Sequence, residues 1–283
     1  MSAEEGCVLR ILAINDVYEI DYWPNFATAN AQQRTAGSVL GPGAKVTTIS
    51  VLPGDFVSPA LLSSLDKGKS MVDCMNKSGI DYVSIGNHES DISLEQLHKR
   101  MQESTFIWIN TNMRGLPLPS DMPPLPEYSV VEVKSANGEH TRRVALLGLC
   151  GEDRSVMKVG AFGGADIVPL MASLKDLYTR LNAAGEAIDA IIPLTHQLMP
   201  LDRLLAGDTT MTFPLVVGGT QQMHAYVYRR VVPVSPYQPP PLPHSACTTH
   251  FPLTNLCLFD TPRSRPRTLP GNHQRVHHHQ NRR

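Results

Sequence analysis

From Arg229 to the C-terminus this 283-residue chain has no lysine, no glutamate and a single acid, Asp260, beside eight arginines. The rest of the chain carries 17 bases against 25 acids, so the overall net charge of −1 conceals two regimes. That balance makes no case for nucleic acid as a partner of the whole chain. Aromatics make up only 6% of the sequence, so aliphatic side chains must fill any core. No Cys-x-x-Cys pair occurs among Cys7, Cys74, Cys150, Cys247 and Cys257. An odd count at irregular spacing excludes a disulfide framework and a zinc knuckle, and reads as reduced thiols. No apolar run approaches the length of a membrane span. The opening Met1-Ser2-Ala3-Glu4-Glu5-Gly6 is acidic and has no apolar signal segment, so a cytoplasmic location is expected.

What is present alternates between strand and helix patterns. Val8–Ile14 is a short aliphatic run and reads as a buried strand. Residues 24–44 are polar and end Gly-rich, and read as loop. Val46–Leu52, Asp81–Ile85, Phe106–Ile109, Ile188–Leu194 and Phe213–Val217 read as further strands. Val130–Val133 and Val144–Leu149 read as an antiparallel pair with Asn137-Gly138 in the connection. Ser58-Pro59 reads as a helix start, with Gly79 closing that helix. Ser93 opens another helix, and Leu170–Leu181 and Leu201–Leu205 are helical. This alternation predicts an α/β layered fold over residues 1–228. Residues 229–283 hold ten of the 23 prolines and six of the eleven histidines, a composition that predicts a disordered tail.

The chemistry-bearing residues stand just after strand ends, where open sheets place their ligands. Asp16 follows the first strand and Asp55 the second. Asn87 and His88 follow the third, in Ser84-Ile85-Gly86-Asn87-His88-Glu89-Ser90, and His196 follows the strand that ends at Leu194. Carboxylate, amide oxygen and imidazole are ligands for Mn²⁺, Zn²⁺, Fe or Mg²⁺. Two such ions activate a water and neutralise charge developing on a phosphoryl group. His88 is placed to protonate a leaving oxygen, and Asp91, three residues on, to fix its tautomer. Any one of these residues alone reads better as a turn former, a cap or a satisfied structural histidine; their order and joint placement make the case. Ser58, Met71 and Cys74 read as helix cap and core, and Asn112 as a structural turn.

With these motifs in view, the chain resembles the calcineurin-like metallophosphoesterases, and among them the 5′-nucleotidase and UDP-sugar hydrolase branch. The matching pieces are Ile14-Asn15-Asp16-Val17-Tyr18, Pro53-Gly54-Asp55-Phe56-Val57-Ser58-Pro59, Ser84 to Asp91, Leu194-Thr195-His196-Gln197 and Val216-Val217-Gly218-Gly219. The resemblance implies an α/β (α+β) four-layer sandwich, two mixed β-sheets flanked by helices. It also implies two divalent metal ions and a small phosphate ester, such as a nucleotide, as substrate. Asp16 would serve the first ion, Asp55 both, and Asn87 and His196 the second, with His88 and Asp91 as a phosphate-facing dyad. The chain departs from the family pattern twice. Tyr18 stands where the opening motif has histidine, and Gly219-Thr220-Gln221-Gln222 replaces Gly-His-x-His, leaving Gln222 as a ligand to the first ion. The domain that follows in the nucleotidase branch has no counterpart here. Two functions therefore stay open: a metal-dependent phosphoester hydrolase, and a relative that keeps the fold with impaired turnover.

Overall fold

A computed structural model describes residues 5–38, 41, 43–208, 211 and 213–218, together with the backbone of 226–229, 246–247 and 254–258. The first sheet begins with β1 (Val8–Ala13), β2 (Val46–Pro53), β3 (Tyr82–Ser84) and β4 (Ile107–Ile109), which run parallel in that order. A small antiparallel ribbon joins β5 (Met113–Arg114) to β8 (Asp166–Ile167). The second sheet is built on β6 (Tyr128–Lys134), β7 (Thr141–Cys150), β9 (Ala190–His196) and β10 (Leu215–Gly218). β6 and β7 are the antiparallel pair read from the sequence, while β7, β9 and β10 run parallel. β11 (Tyr226–Arg229) and β12 (Ala246–Cys247) extend the second sheet beyond β10, and β13 (Thr254–Leu258) lies antiparallel on β1. Most of the tail expected to be disordered lies outside the described residues; Arg229 at the end of β11, β12 and β13 are the described parts of it.

Period-two patterning assigns each strand face to a layer. Leu9, Ile11 and Ala13 of β1 and Ile49 and Val51 of β2 face Val144, Leu146, Ile192, Leu194 and Val217 of the second sheet. Leu12 and Leu52 point the other way, into a layer with Trp23, Phe26, Met71, Val72, Met75 and Leu97. On the far side, Ala145, Leu147 and Leu149 pack against Leu170, Leu174, Leu177 and Leu205. The order is helix, sheet, sheet, helix, as the resemblance implies. No helix among the described residues is long and apolar enough to cross a membrane.

Two stretches differ from the sequence expectation. Residues 24–44 are not all loop: α1 spans Trp23–Thr35, with Pro24 in its first turn. Its buried residues are Trp23, Phe26 and Asn30, too short an apolar stripe to show as periodicity. Polar contacts hold it as well, beside the packing of Trp23 and Phe26. Asn30 Nδ2 donates to the carbonyls of Ser78 (2.8 Å) and Gly79 (2.9 Å) at the end of α3 (Lys69–Ser78). The Arg10 guanidinium, buried on β1, donates to Gln33 O (2.6 Å), Ala36 O (3.1 Å) and Gly37 O (2.6 Å). Those carbonyls belong to or follow the last turn of α1, where a helix leaves acceptors without intrahelical partners.

The second difference is at Ser58-Pro59. That peptide is cis and no helix starts there. A single short helix, α2 (Ser63–Asp66), comes first and breaks at Lys67 and Gly68, both at positive φ; α3 then begins at Lys69 and ends at Gly79. Leu61 and Leu65, which fit a helical spacing with Leu62, Val72 and Met75, are exposed. The remaining helices follow the sequence closely: α4 (Leu94–Glu103) with Ser93 capping Gln96 N, α5 (Leu170–Ala183) and α6 (Met199–Gly207).

Candidate metal centre

Because β1, β2 and β3 are parallel neighbours, the turns that follow them share one edge of the first sheet. Asp16 and Asp55 both turn with positive φ (+50° and +59°), a conformation that costs about 1 kcal/mol or more outside glycine and that aspartate tolerates best. β9 of the second sheet brings His196 to the same edge, where its Nδ1 lies 2.7 Å from Pro53 O. That contact makes Nδ1 the donor and turns Nε2 inward, 3.0 Å from Asp55 Oδ2 and 3.1 Å from Asn87 Oδ1. One ligand atom from each of Asp16, Asp55 and His196 lies within 4.8 Å of the others, and all three residues are buried.

The electrostatics are those of a tight charge cluster. Burial opposes a charge on His196, but Asp55, by charge and hydrogen bond, and then Asp16 raise it to about 9. Burial works to raise Asp55 as well; the His196 charge and hydrogen bond overcome it and hold the carboxyl below its usual range. Asp16 is pushed up by burial, against the nearby His196 charge. At neutral pH His196 therefore donates Nε2–H to Asp55, and a cation bound between them displaces that proton.

His88 lies against Asp91: Nδ1 is 2.7 Å from Asp91 Oδ2 and Nε2 points back toward Asp55 Oδ2 at 4.0 Å. Ser58, read as a helix cap, instead donates to Asp91 Oδ2 at 3.1 Å. Lys158 Nζ reaches the Asp91 backbone oxygen and lies 3.8 Å from its carboxylate. Beside the dyad, a cavity of about 360 Å³ opens between residues 89–94 and 158–163.

Asn112, expected as a turn, is buried and brackets β7 through Cys150 N (2.9 Å) and Cys150 O (2.8 Å). Gln222, expected as a ligand, and Thr220 lie outside the described residues.

Two buried carboxylates carry roles that the sequence did not reveal. Glu89 is fully buried and accepts from the backbone N–H groups of Gly86 (2.6 Å), Asp55 (2.9 Å), Phe56 (2.9 Å) and Val57 (3.2 Å). It ties the Asp55 turn to the Asn87 turn. Burial and the Asp55 charge push its carboxyl up, against these donors. Asp202 accepts from Thr195 Oγ1 (2.6 Å) and Gln197 Nε2 (2.8 Å) on either side of His196.

The chain matches no protein-family model and no curated protein. Among solved structures, the 5′-nucleotidase precursor of Thermus thermophilus superposes with a TM-score of 0.60 at 18% identity, covering 75% of this chain and 41% of that one. The NAD nucleotidase of Haemophilus influenzae gives 0.59 at 18% identity, with 75% and 38% covered. The calcineurin-like phosphoesterase YfkN of Bacillus subtilis gives 0.54 at 17%, with 75% and 72% covered. The fold is that of the calcineurin-like phosphoesterases. This chain spans about two fifths of the length of the two nucleotidases. In this phosphoesterase fold, the cluster of Asp16, Asp55, Asn87 and His196 lies at the rim shared by both sheets.

Proposed function

We propose that the chain is a metal-dependent hydrolase of small phosphate esters, with nucleotides as the first substrates to try. The observation that carries this reading is the convergence of Asp55 Oδ2, Asn87 Oδ1 and His196 Nε2 beside a preformed His88–Asp91 pair. A carboxylate, an amide oxygen and an imidazole already anchored through its other nitrogen fit a divalent cation. The bound ion would supply Lewis-acid polarisation of a phosphoryl oxygen and activation of water. The resemblance extends this to two ions, the other one beside Asp16.

The protein's own groups divide the remaining work. Asp91 accepts Nδ1–H of His88 and so leaves Nε2 directed at the cluster, the position from which it gives a proton to the departing alkoxide. Ser58 holds the other side of Asp91 Oδ2. Lys158, beside Asp91, brings positive charge near the dyad that an anionic substrate would meet.

The test is phosphate release from an aryl phosphate with Mn²⁺ or Co²⁺ present. Activity stimulated by the metal and lost in Asp55→Ala and Asn87→Ala supports the reading. Folded protein without metal-stimulated release leaves the second one, a non-hydrolytic relative, which Tyr18 at the expected histidine position favours.

A further inference from the structure

We propose that Tyr18 is a plug in the centre: its hydroxyl closes the Asp16 position, so that the resting protein takes one divalent ion, at Asp55, Asn87 and His196, and not two. This rests on the metal-dependent reading of the site and refines it.

Both oxygens of Asp16 are already engaged. Tyr18 O–H reaches Oδ1 at 2.8 Å and Asn15 Nδ2 donates to Oδ2 at 2.6 Å. The same phenol oxygen lies 3.2 Å from Asp55 Oδ2. A cation shared by Asp16 and Asp55 must approach an oxygen of each to roughly 2.0–2.2 Å. The hydroxyl occupies the space between those two oxygens and offers them a proton where a cation would offer charge. The ring is braced, meeting His88 edge-on with centroids 5.9 Å apart at 82°. Asp16, two residues back, is held in its left-handed turn by Asn15 and by the Ile14 N–H bond to Val51 O at 3.2 Å. The other three ligands meet without such an intermediary: His196 Nε2 faces Asp55 Oδ2 and Asn87 Oδ1 directly.

The loading order follows. The first ion enters between Asp55, Asn87 and His196, whose donor atoms already face one another. A second enters only if the Tyr18 side chain swings away from Asp16. Replacing Tyr18 with histidine removes the plug and puts a nitrogen donor in its place.

The experiment is Mn²⁺ binding to the full chain by equilibrium dialysis with metal analysis, read alongside the electron paramagnetic resonance spectrum. The expected result is one Mn²⁺ per wild-type chain with the spectrum of an isolated ion, and two per Tyr18→His chain with a spin-coupled spectrum. Asp55→Asn is expected to lose the wild-type ion. Two ions on the wild type, or a Tyr18→His variant that folds and still holds one, overturns the plug and leaves the hydrolase reading standing. Tyrosinate absorbance appearing as wild-type protein takes up Mn²⁺ also overturns it, because Tyr18 is then a ligand. No ion on either protein overturns both.

Discussion

Glu89 shows how much a single side chain can organise. Its carboxylate gathers four backbone N–H groups from two different strand-end turns, at the point where Asp55 and Asn87 are presented. Glu89→Gln keeps the volume, but its amide NH₂ then faces donors. The expected cost is roughly 2–3 kcal/mol in urea unfolding, with a weaker hold on Mn²⁺ because the Asp55 turn loosens. The donor-bearing residues were legible in the sequence, because a polar residue after an aliphatic run is placed at a sheet edge by strand geometry alone. Glu89 was not legible in this role. A glutamate in a turn reads as solvated, and only the closeness of the Asp55 and Asn87 turns buries it. The packing there leaves no slack: a Cβ on Gly86 would lie 2.2 Å from Asp55 Oδ1. Tyr18 was visible as a departure from the expected histidine, but its hydrogen bonds to both carboxylates depend on two turns meeting in space.

At the level of elements, the strands of the two sheets up to β10 were legible, while the short β5 and β8, the later β11, β12 and β13, and α1 were not. Strands here are buried on both faces or on alternate residues, and that leaves a pattern in the chain. α1 is held by Asn30 at its middle and at its C-terminal end by Arg10, from a strand some twenty residues earlier, and no local pattern records such contacts. Arg10→Met retains the apolar stem and frees the carbonyls of Gln33, Ala36 and Gly37. It is expected to cost about 1–3 kcal/mol and to speed amide exchange in the last turn of α1 before other helices respond. Between the sheets, Gly148 on β7 sits so close to β4 that a Cβ would fall 2.1 Å from Ile109 O. Gly148→Ala must push the two sheets apart, with an expected loss of about 3 kcal/mol in the same unfolding measurement. The break between α2 and α3 was hidden because Leu61 and Leu65 fit a helical spacing while facing solvent.

For the whole molecule, stability should depend on pH through Asp202. Burial raises its carboxyl to about 6, against the hydrogen bonds of Thr195 and Gln197. A carboxyl raised on folding binds its proton more tightly in the native state. Its contribution is complete below the unfolded value, near pH 4, and is lost as pH rises through about 6. The size is about 3 kcal/mol across that window. Urea midpoints should fall between mildly acidic and neutral pH in the wild type, and this fall should flatten in Asp202→Asn. His196 sits between the two residues that Asp202 holds, on the sheet opposite Asp16, Asp55 and Asn87. Any ion gripped by Asp55 and His196 therefore spans the seam between the halves of the sandwich. Metal uptake then becomes a mechanical event: it adds a cross-link between two layers that already meet through aliphatic contacts, the His196–Pro53 hydrogen bond and the bonds of Thr111 and Asn112 to β7. Stripping the ion with a chelator should lower the melting temperature by an amount set by the free-metal concentration. The first amides to exchange should be those beside His196 at this rim, such as Gly151, whose N–H is held by His196 O.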